Sequence, residues 1–278
     1  RSLGSWYSFC ATYMTADKFS MFGVIRKDRL PHLAARLRPF YLRREREALL
    51  PDLPDLMEEI VPVELSEQER KLYDQLVMDI LLEVEKPRID RIENPQNVGM
   101  GIVKFMKLRQ LCVDPRLLGS GNLQHSKLDA LKEFVSTLGT AKSLIFTEFA
   151  SAVPAIMEVL GDKAVEITGA TSHAERNRIV QKFHADKECK YLVGTKAVEM
   201  ALNLQAADFV IHMDPPLTYA SYDQRCSRAR RQGREDKVVS VRLIARASIE
   251  EKIYRMIEGK REISLAAMPY TELIKELI

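Results

Sequence analysis

Between Gln224 and Arg234 the chain reads Gln-Arg-Cys-Ser-Arg-Ala-Arg-Arg-Gln-Gly-Arg, with five arginines in eleven positions and no acidic residue among them. Guanidinium groups stay charged and repel one another, so this density is unfavourable unless anionic groups lie opposite. Arg228 and Arg231 are three positions apart and would share one face of a helix. Two arginines aimed from one face suit a polyphosphate whose charge spreads during cleavage. A solvated basic surface or a plain nucleic-acid patch accounts for the same segment equally well.

The other residues with chemical potential stand at the ends of short apolar runs. They are Thr147 and Glu148, Thr168 and Gly169, Gly194-Thr195-Lys196, and Asp214. Gly194-Thr195-Lys196 resembles half of a phosphate-binding loop, because a small hydroxyl residue after a strand suits a backbone phosphate contact. The glycine spacing of a Walker A loop occurs nowhere in the chain, so a nucleoside triphosphate is not cradled by this sequence alone. No strand ends in the Asp-Glu pair that would hold magnesium, and no serine sits in a nucleophile elbow. Glu148, Glu199 and Asp214 belong to different strand ends, and each is expected to play an ordinary buried or solvated role. Cys10, Cys112, Cys189 and Cys226 match no metal-ligand spacing, and the five histidines are as scattered, so no metal site and free thiols are expected.

Two periodicities must position these residues. Up to about residue 125 the pattern is helical with loops. Leu65, Leu72, Leu76, Ile80 and Val84 form an amphipathic stripe, Ser66 with Glu69 makes a capping box, and a second helix is expected over 101–111 after a loop at 86–99. From Ser126 short apolar runs at 143–147, 164–167, 190–193, 209–213 and 238–244 alternate with helices of ten to fifteen residues. That alternation predicts an α/β fold, a parallel sheet flanked by helices on both faces. Such sheets bind ligands outside the carboxyl ends of their strands, where the residues named above fall.

The 278 residues, 46% hydrophobic and 29% charged, describe a globular chain, and a net charge of +3 argues against generic polyanion binding. Positive charge is local, at 26–46 and 225–234; the first stretch is expected to be a partly solvated, helix-packing surface. No apolar run approaches the ~20 residues a bilayer span needs, so no membrane partner is expected. The first residue is Arg1 rather than Met, which suggests a fragment.

Together these blocks resemble the second RecA-like lobe of the Swi/Snf-type DNA-translocating ATPases of helicase superfamily two. Leu42-Arg43-Arg44 with Leu53-Pro54 is similar to the family's linker segment. Lys107 through Cys112 with Pro115 is similar to the helix before lobe two, and Ser126-Lys127-Leu128 to the start of that lobe. Ser143–Phe149 looks like motif four, and Ile167–Gly169 with Arg176 and Phe183 fits the next block. Gly194 through Asp208 resembles motif five, and Gln224, Arg228, Arg231 and Gly233 resemble motif six. Ser248–Glu262 resembles the helix that braces the lobe. The sequence departs from the pattern where the family has glycine, at Val198, Glu199 and Ala201, and where it has histidine and glutamine, at Arg230 and Arg234.

The resemblance implies a division at 1–125 (helical linker segment), 126–247 (RecA-like lobe) and 248–278 (brace helix). It implies ATP with Mg2+ bound between this lobe and a missing N-terminal RecA-like lobe that holds the metal. Arg228 and Arg231 would be arginine fingers, with Gln224 and Asn203 at the nucleotide edge. Thr147, Gly169, Thr195 and Lys196 would touch the backbone of double-stranded DNA. The isolated chain is expected to hydrolyse no ATP. A nuclear location is expected in a eukaryote, and the cytoplasm or nucleoid in a prokaryote or virus. A superfamily-two RNA helicase lobe, or a non-catalytic DNA-binding or protein-docking module, would share much of this pattern.

Overall fold

Ser143–Phe146, Tyr191–Gly194 and Phe209–His212 are apolar at nearly every position, as strands covered on both faces must be. A computed structural model describes residues 5–15, 24–37, 39, 55–84, 96–119, 121, 123–198, 202–230 and 236–259. Helix α1 (Trp6–Tyr13), strands β1 (Met14–Thr15) and β2 (Val24–Ile25) and helix α2 (Leu30–Leu37) come first. Strand β3 (Leu56–Val63) and helices α3 (Glu67–Val84), α4 (Gln96–Val113) and α5 (Ser126–Thr137) follow. The remainder alternates: β4 (Ser143–Phe146), α6 (Val153–Leu160), β5 (Ala164–Ile167), α7 (His173–Ala185), β6 (Tyr191–Gly194), β7 (Phe209–His212), α8 (Tyr219–Ala229), β8 (Val238–Ala245) and α9 (Ile249–Gly259).

Six strands form one sheet in the order β3-β8-β7-β4-β6-β5, and every neighbouring pair is parallel. Successive side chains point to opposite faces. Ile145, Val193, Ile211 and Val241 therefore pack beneath α5 and α6, against Leu131, Val135, Val153 and Ile156. Leu144, Phe146, Leu192 and Val210 face the other way, toward Phe183 of α7 and Tyr222, Cys226 and Ala229 of α8. A third core joins α3, α4 and α9 around Ile244 and Ala245. Truncating a fully buried core residue such as Leu131 to alanine should cost about 2–5 kcal/mol.

One strand lies where a helical segment was expected. β3 pairs along its whole length with β8, from Leu56 opposite Val238 to Val63 opposite Ala245, so the sheet reaches upstream of residue 126. Only Val63 of the strand is buried, and it carries Glu58, Glu59 and Pro62. An edge strand tolerates charge and proline, and those residues hide its alternation. Helix α4 also begins earlier than the spacing indicated, at Gln96. Residues 42–44, 53–54 and 260–278, which carry the linker resemblance and the end of the brace segment, lie outside the described residues.

The capping box is present and does more than the sequence suggested. The Ser66 backbone N–H donates to Glu69 Oε2 at 2.8 Å, and the Glu69 N–H donates to Ser66 Oγ at 3.3 Å. The same carboxylate accepts the Ser126 backbone N–H at 3.1 Å and the Ser126 hydroxyl. Glu69 thus serves the start of both α3 and α5. The first turns of α5 and α9 are joined by a fully buried ion pair, Lys127 with Glu250, and Lys127 also donates to the Met213 carbonyl at 2.9 Å. Burial pushes the Glu250 carboxyl up, while the Lys127 ammonium pulls it back down.

Candidate nucleotide and phosphate interface

At the carboxyl ends of β4 and β7 the chain builds a buried polar knot. The Thr147 hydroxyl donates to Asp214 Oδ2 at 2.6 Å and accepts the Phe149 N–H at 3.1 Å. The Glu148 N–H donates to the same Asp214 carboxylate, at 3.1 and 3.2 Å. Arg109 reaches in from α4, fully buried, and donates to the Pro215 carbonyl at 2.7 Å and to Asp214 Oδ1 at 3.4 Å. Its guanidinium lies over the Phe149 ring, 5.2 Å from the centroid. Asp214 is thereby neutralised, and it fixes the two loops on either side of it.

Glu148 forms the second half of the knot. Its carboxylate pairs with Arg225 of α8, which is itself fully buried over Phe146, and Lys196 Nζ stands 3.7 Å from its other oxygen. Burial raises the Glu148 carboxyl, and Arg225 opposes that shift most strongly. The Lys196 side chain is 68% exposed, against 8% for Glu148. The loops after β4 and β6 and the arginine-bearing helix therefore meet at one carboxylate, while the loop after β7 holds the Glu148 backbone.

The loop after β6 depends on a close approach. A Cβ on Gly194 would lie 2.3 Å from Val198 Cγ2, and Val198 is fully buried. The valine that stands where the resemblance leads one to expect glycine packs directly on the preceding glycine. Thr195 is 7% exposed, its N–H donates to the Ile167 carbonyl at 3.3 Å, and its carbonyl accepts the Val198 N–H at 2.9 Å. Between β5 and α7, Thr168 and Thr171 brace a turn that Arg176 clamps by donating to both carbonyls, at 3.3 and 3.0 Å. Gly169 is exposed at the crest of that turn, and an added methyl would meet nothing within 4 Å. The fold itself does not require glycine there.

Helix α8 starts with Thr218, whose hydroxyl accepts the Ser221 N–H at 3.1 Å. Arg228, half-buried in its last turn, lies against the far end of the β6–β7 loop. Its carbonyl accepts the Leu204 N–H at 3.1 Å, and its guanidinium approaches the Leu202 carbonyl at 3.5 Å. Asn203 is exposed between these residues, and its carbonyl lies 2.9 Å from His184 Nε2. Gln224 is exposed on the helix, with its carbonyl accepting the Ser227 hydroxyl at 2.7 Å. Arg231, Gly233 and Arg234 lie outside the described residues, as do Glu199 and Ala201.

The residues singled out from the sequence thus fall into two groups. Thr147, Thr195 and Lys196 gather near Glu148, whereas Arg228 and Asn203 gather at the far end of the β6–β7 loop. Gly169, exposed in the loop after β5, and Gln224, exposed on α8, belong to neither group. Thr147 needs a correction: it has no accessible surface and its hydroxyl is committed to Asp214, so its side chain orients the loop instead of meeting a phosphate. Glu148 and Asp214 take a buried, ion-paired role, and their partners Arg225 and Arg109 were visible in the sequence only as members of a basic stretch and a motif block. The available signal was an arginine within an apolar helical face, beside Leu108 and Cys112 in one case and Tyr222 and Cys226 in the other. A guanidinium in such a stripe calls for a buried acceptor.

Residues 126–233 match the family described as the helicase conserved C-terminal domain. A protein of Mycoplasma genitalium named as an uncharacterized ATP-dependent helicase is 30% identical over 240 residues, covering 83% of this chain and 22% of the relative. YwqA of Bacillus subtilis, named as a "putative ATP-dependent helicase/translocase", is 29% identical over 273 residues, covering 91% of this chain and 29% of the relative. Thus the chain spans between a fifth and a third of these relatives. Among solved structures, the Sulfolobus solfataricus SWI2/SNF2 ATPase core in complex with dsDNA is 25% identical with a TM-score of 0.66, covering 99% of this chain and 60% of that one. The C-terminal domain of the same ATPase shares the fold at a TM-score of 0.62 and 23% identity, covering 81% of this chain and 98% of that one. A six-stranded parallel sheet among the described residues, an arginine-bearing helix beside it, and these matches lead to one conclusion: residues 126–233 belong to the helicase conserved C-terminal domain family, and the chain has the fold of a Swi/Snf-type second RecA-like lobe.

Proposed function

We propose that this chain is the C-terminal half of the motor in an ATP-dependent translocase acting on double-stranded DNA. In this reading Arg228 and Arg231 act as arginine fingers toward ATP bound between this lobe and an N-terminal one. Gly169, Thr195 and Lys196 meet phosphates of one DNA strand, and residues upstream of 126 bridge to the first lobe. The observation that carries the reading is the β6–β7 loop: it has Thr195 and Lys196 at one end, and at the other it is hydrogen-bonded to Arg228. One short segment joins the proposed DNA contact to the proposed nucleotide contact. Phosphate contacts grip without reading sequence, which suits movement along any duplex.

ATP and Mg2+ fit this chain only as one side of a site. Arg228 offers a cation to a phosphate, and Asn203 and Gln224 offer exposed polar groups beside it. The two neighbouring carboxylates, Glu148 and Asp214, are each neutralised by a buried arginine, so they are poor magnesium ligands and the metal falls to the other lobe. The ion supplies charge neutralisation on the phosphates when bound. This chain's own part is to position guanidinium groups and exclude water beside them.

Two comparisons test the proposal. The isolated chain should bind duplex DNA without turning over ATP; DNA-stimulated phosphate release by this chain alone would contradict it. In the full-length protein duplex DNA should stimulate turnover more than duplex RNA; the reverse order would favour an RNA helicase.

A further inference from the structure

Lys196 is the exposed cation of the β6–β7 loop, yet it is not simply waiting in solvent: its ammonium leans on Glu148 at 3.7 Å. Glu148 cannot follow it outward. Its backbone is tied to Asp214, its carboxylate is paired with the fully buried Arg225, and Arg225 is held over Phe146. The arrangement is asymmetric, with one cation fixed inside the fold and the other on a flexible, solvated stem competing for the same carboxylate. We infer that Glu148 is a latch, a positioning residue that holds Lys196 over the strand ends until a polyanion draws it away. This inference rests on the proposed DNA contact and adds an internal competitor for it.

The consequence is a tax on duplex binding. A phosphate that recruits Lys196 must first displace Glu148, so removing the latch should strengthen binding. With its Lys196 end solvated, a pair of this kind is worth about 1 kcal/mol, which sets the gain at about two- to fivefold in Kd. Arg225 and Asp214 keep their places in this exchange, because neither has solvent exposure and each has a second anchoring contact. Lys196 alone moves.

The test measures binding of a short labelled DNA duplex to this chain by fluorescence anisotropy, with Glu148→Gln made in the natural and the Lys196→Ala backgrounds. The expected result is tighter binding by about two- to fivefold in the first background and no change in the second. Because Glu148→Gln leaves Arg225 without a carboxylate, Glu148→Asp is measured in parallel. That shorter acid keeps a charge beside Arg225 while withdrawing from Lys196, and it should reproduce the gain if the glutamine variant fails to fold. Equal effects of Glu148→Gln or Glu148→Asp in both backgrounds, or none in either, would overturn the latch. The proposed DNA contact would survive that result provided Lys196→Ala still weakens binding. No duplex binding by the natural chain would overturn both.

Discussion

Substituting Gly194 by alanine isolates the packing that shapes the β6–β7 loop. The new Cβ would lie 2.3 Å from Val198 Cγ2 and 2.9 Å from Val198 Cβ, whereas carbon atoms rest at about 3.5–4.0 Å. Roughly 1.2–1.7 Å must therefore be recovered by displacement. The strand cannot supply it, because Gly194 is registered with Phe146 on one side and Ile167 on the other. The displacement falls on the turn from Thr195 to Val198, which carries Lys196. Overpacking of this kind costs about 1–3 kcal/mol, measurable as a lower urea midpoint at unchanged slope. In a Val198→Gly background both crowding atoms are gone, and Gly194→Ala should then cost no more than about 0.5 kcal/mol, leaving a coupling energy of at least about 1 kcal/mol. Additive losses in the two backgrounds would refute the claim that these side chains compete for one space.

Other perturbations have equally definite outcomes. Replacing Lys127 by methionine leaves Glu250 buried without its cation and should cost about 3–5 kcal/mol at neutral pH. Because the folded Glu250 carboxyl is raised above its unfolded value, the folded state binds the extra proton, and the deficit should shrink as pH falls through the raised value toward the ordinary carboxylate range. A thermal-unfolding series across that window showing a pH-independent deficit would contradict this. Tyr222→Phe removes a hydroxyl shared between Glu58 and Ser240, both at 2.8 Å, and should destabilise the chain by about 1–2 kcal/mol in equilibrium unfolding. An unchanged midpoint would mean that this bridge between α8, β8 and the edge strand contributes nothing.

What the sequence disclosed, and what it concealed, follows from which groups face each other. Strands β4, β6 and β7 were legible because central parallel strands are apolar throughout, and the Ser66–Glu69 box was legible because its partners are three residues apart. Strand β3 was not, because an edge strand with one half-covered face, two glutamates and a proline shows neither alternation nor a continuous apolar run. The Thr147, Lys196 and Arg228 positions were legible as motif residues. Their surroundings were not: Glu148 meets Arg225 across 77 positions and Asp214 meets Arg109 across 105. Nothing local marks either pair. A buried arginine can be suspected from the apolar stripe it interrupts, but its acceptor is fixed only when the sheet brings the loops together. The consequence for Thr147 is instructive, since a hydroxyl at a strand end looks ligand-facing until Asp214 is found beneath it.

The central claim is that Arg228 completes a nucleotide site whose other side lies on another lobe. The most direct test is duplex-stimulated ATP turnover by the full-length protein carrying Arg228→Ala, measured beside its affinity for the same duplex. Loss of an arginine finger predicts a fall in kcat of about 10³–10⁵ with duplex binding retained. Turnover within a few-fold of the natural protein would contradict the claim.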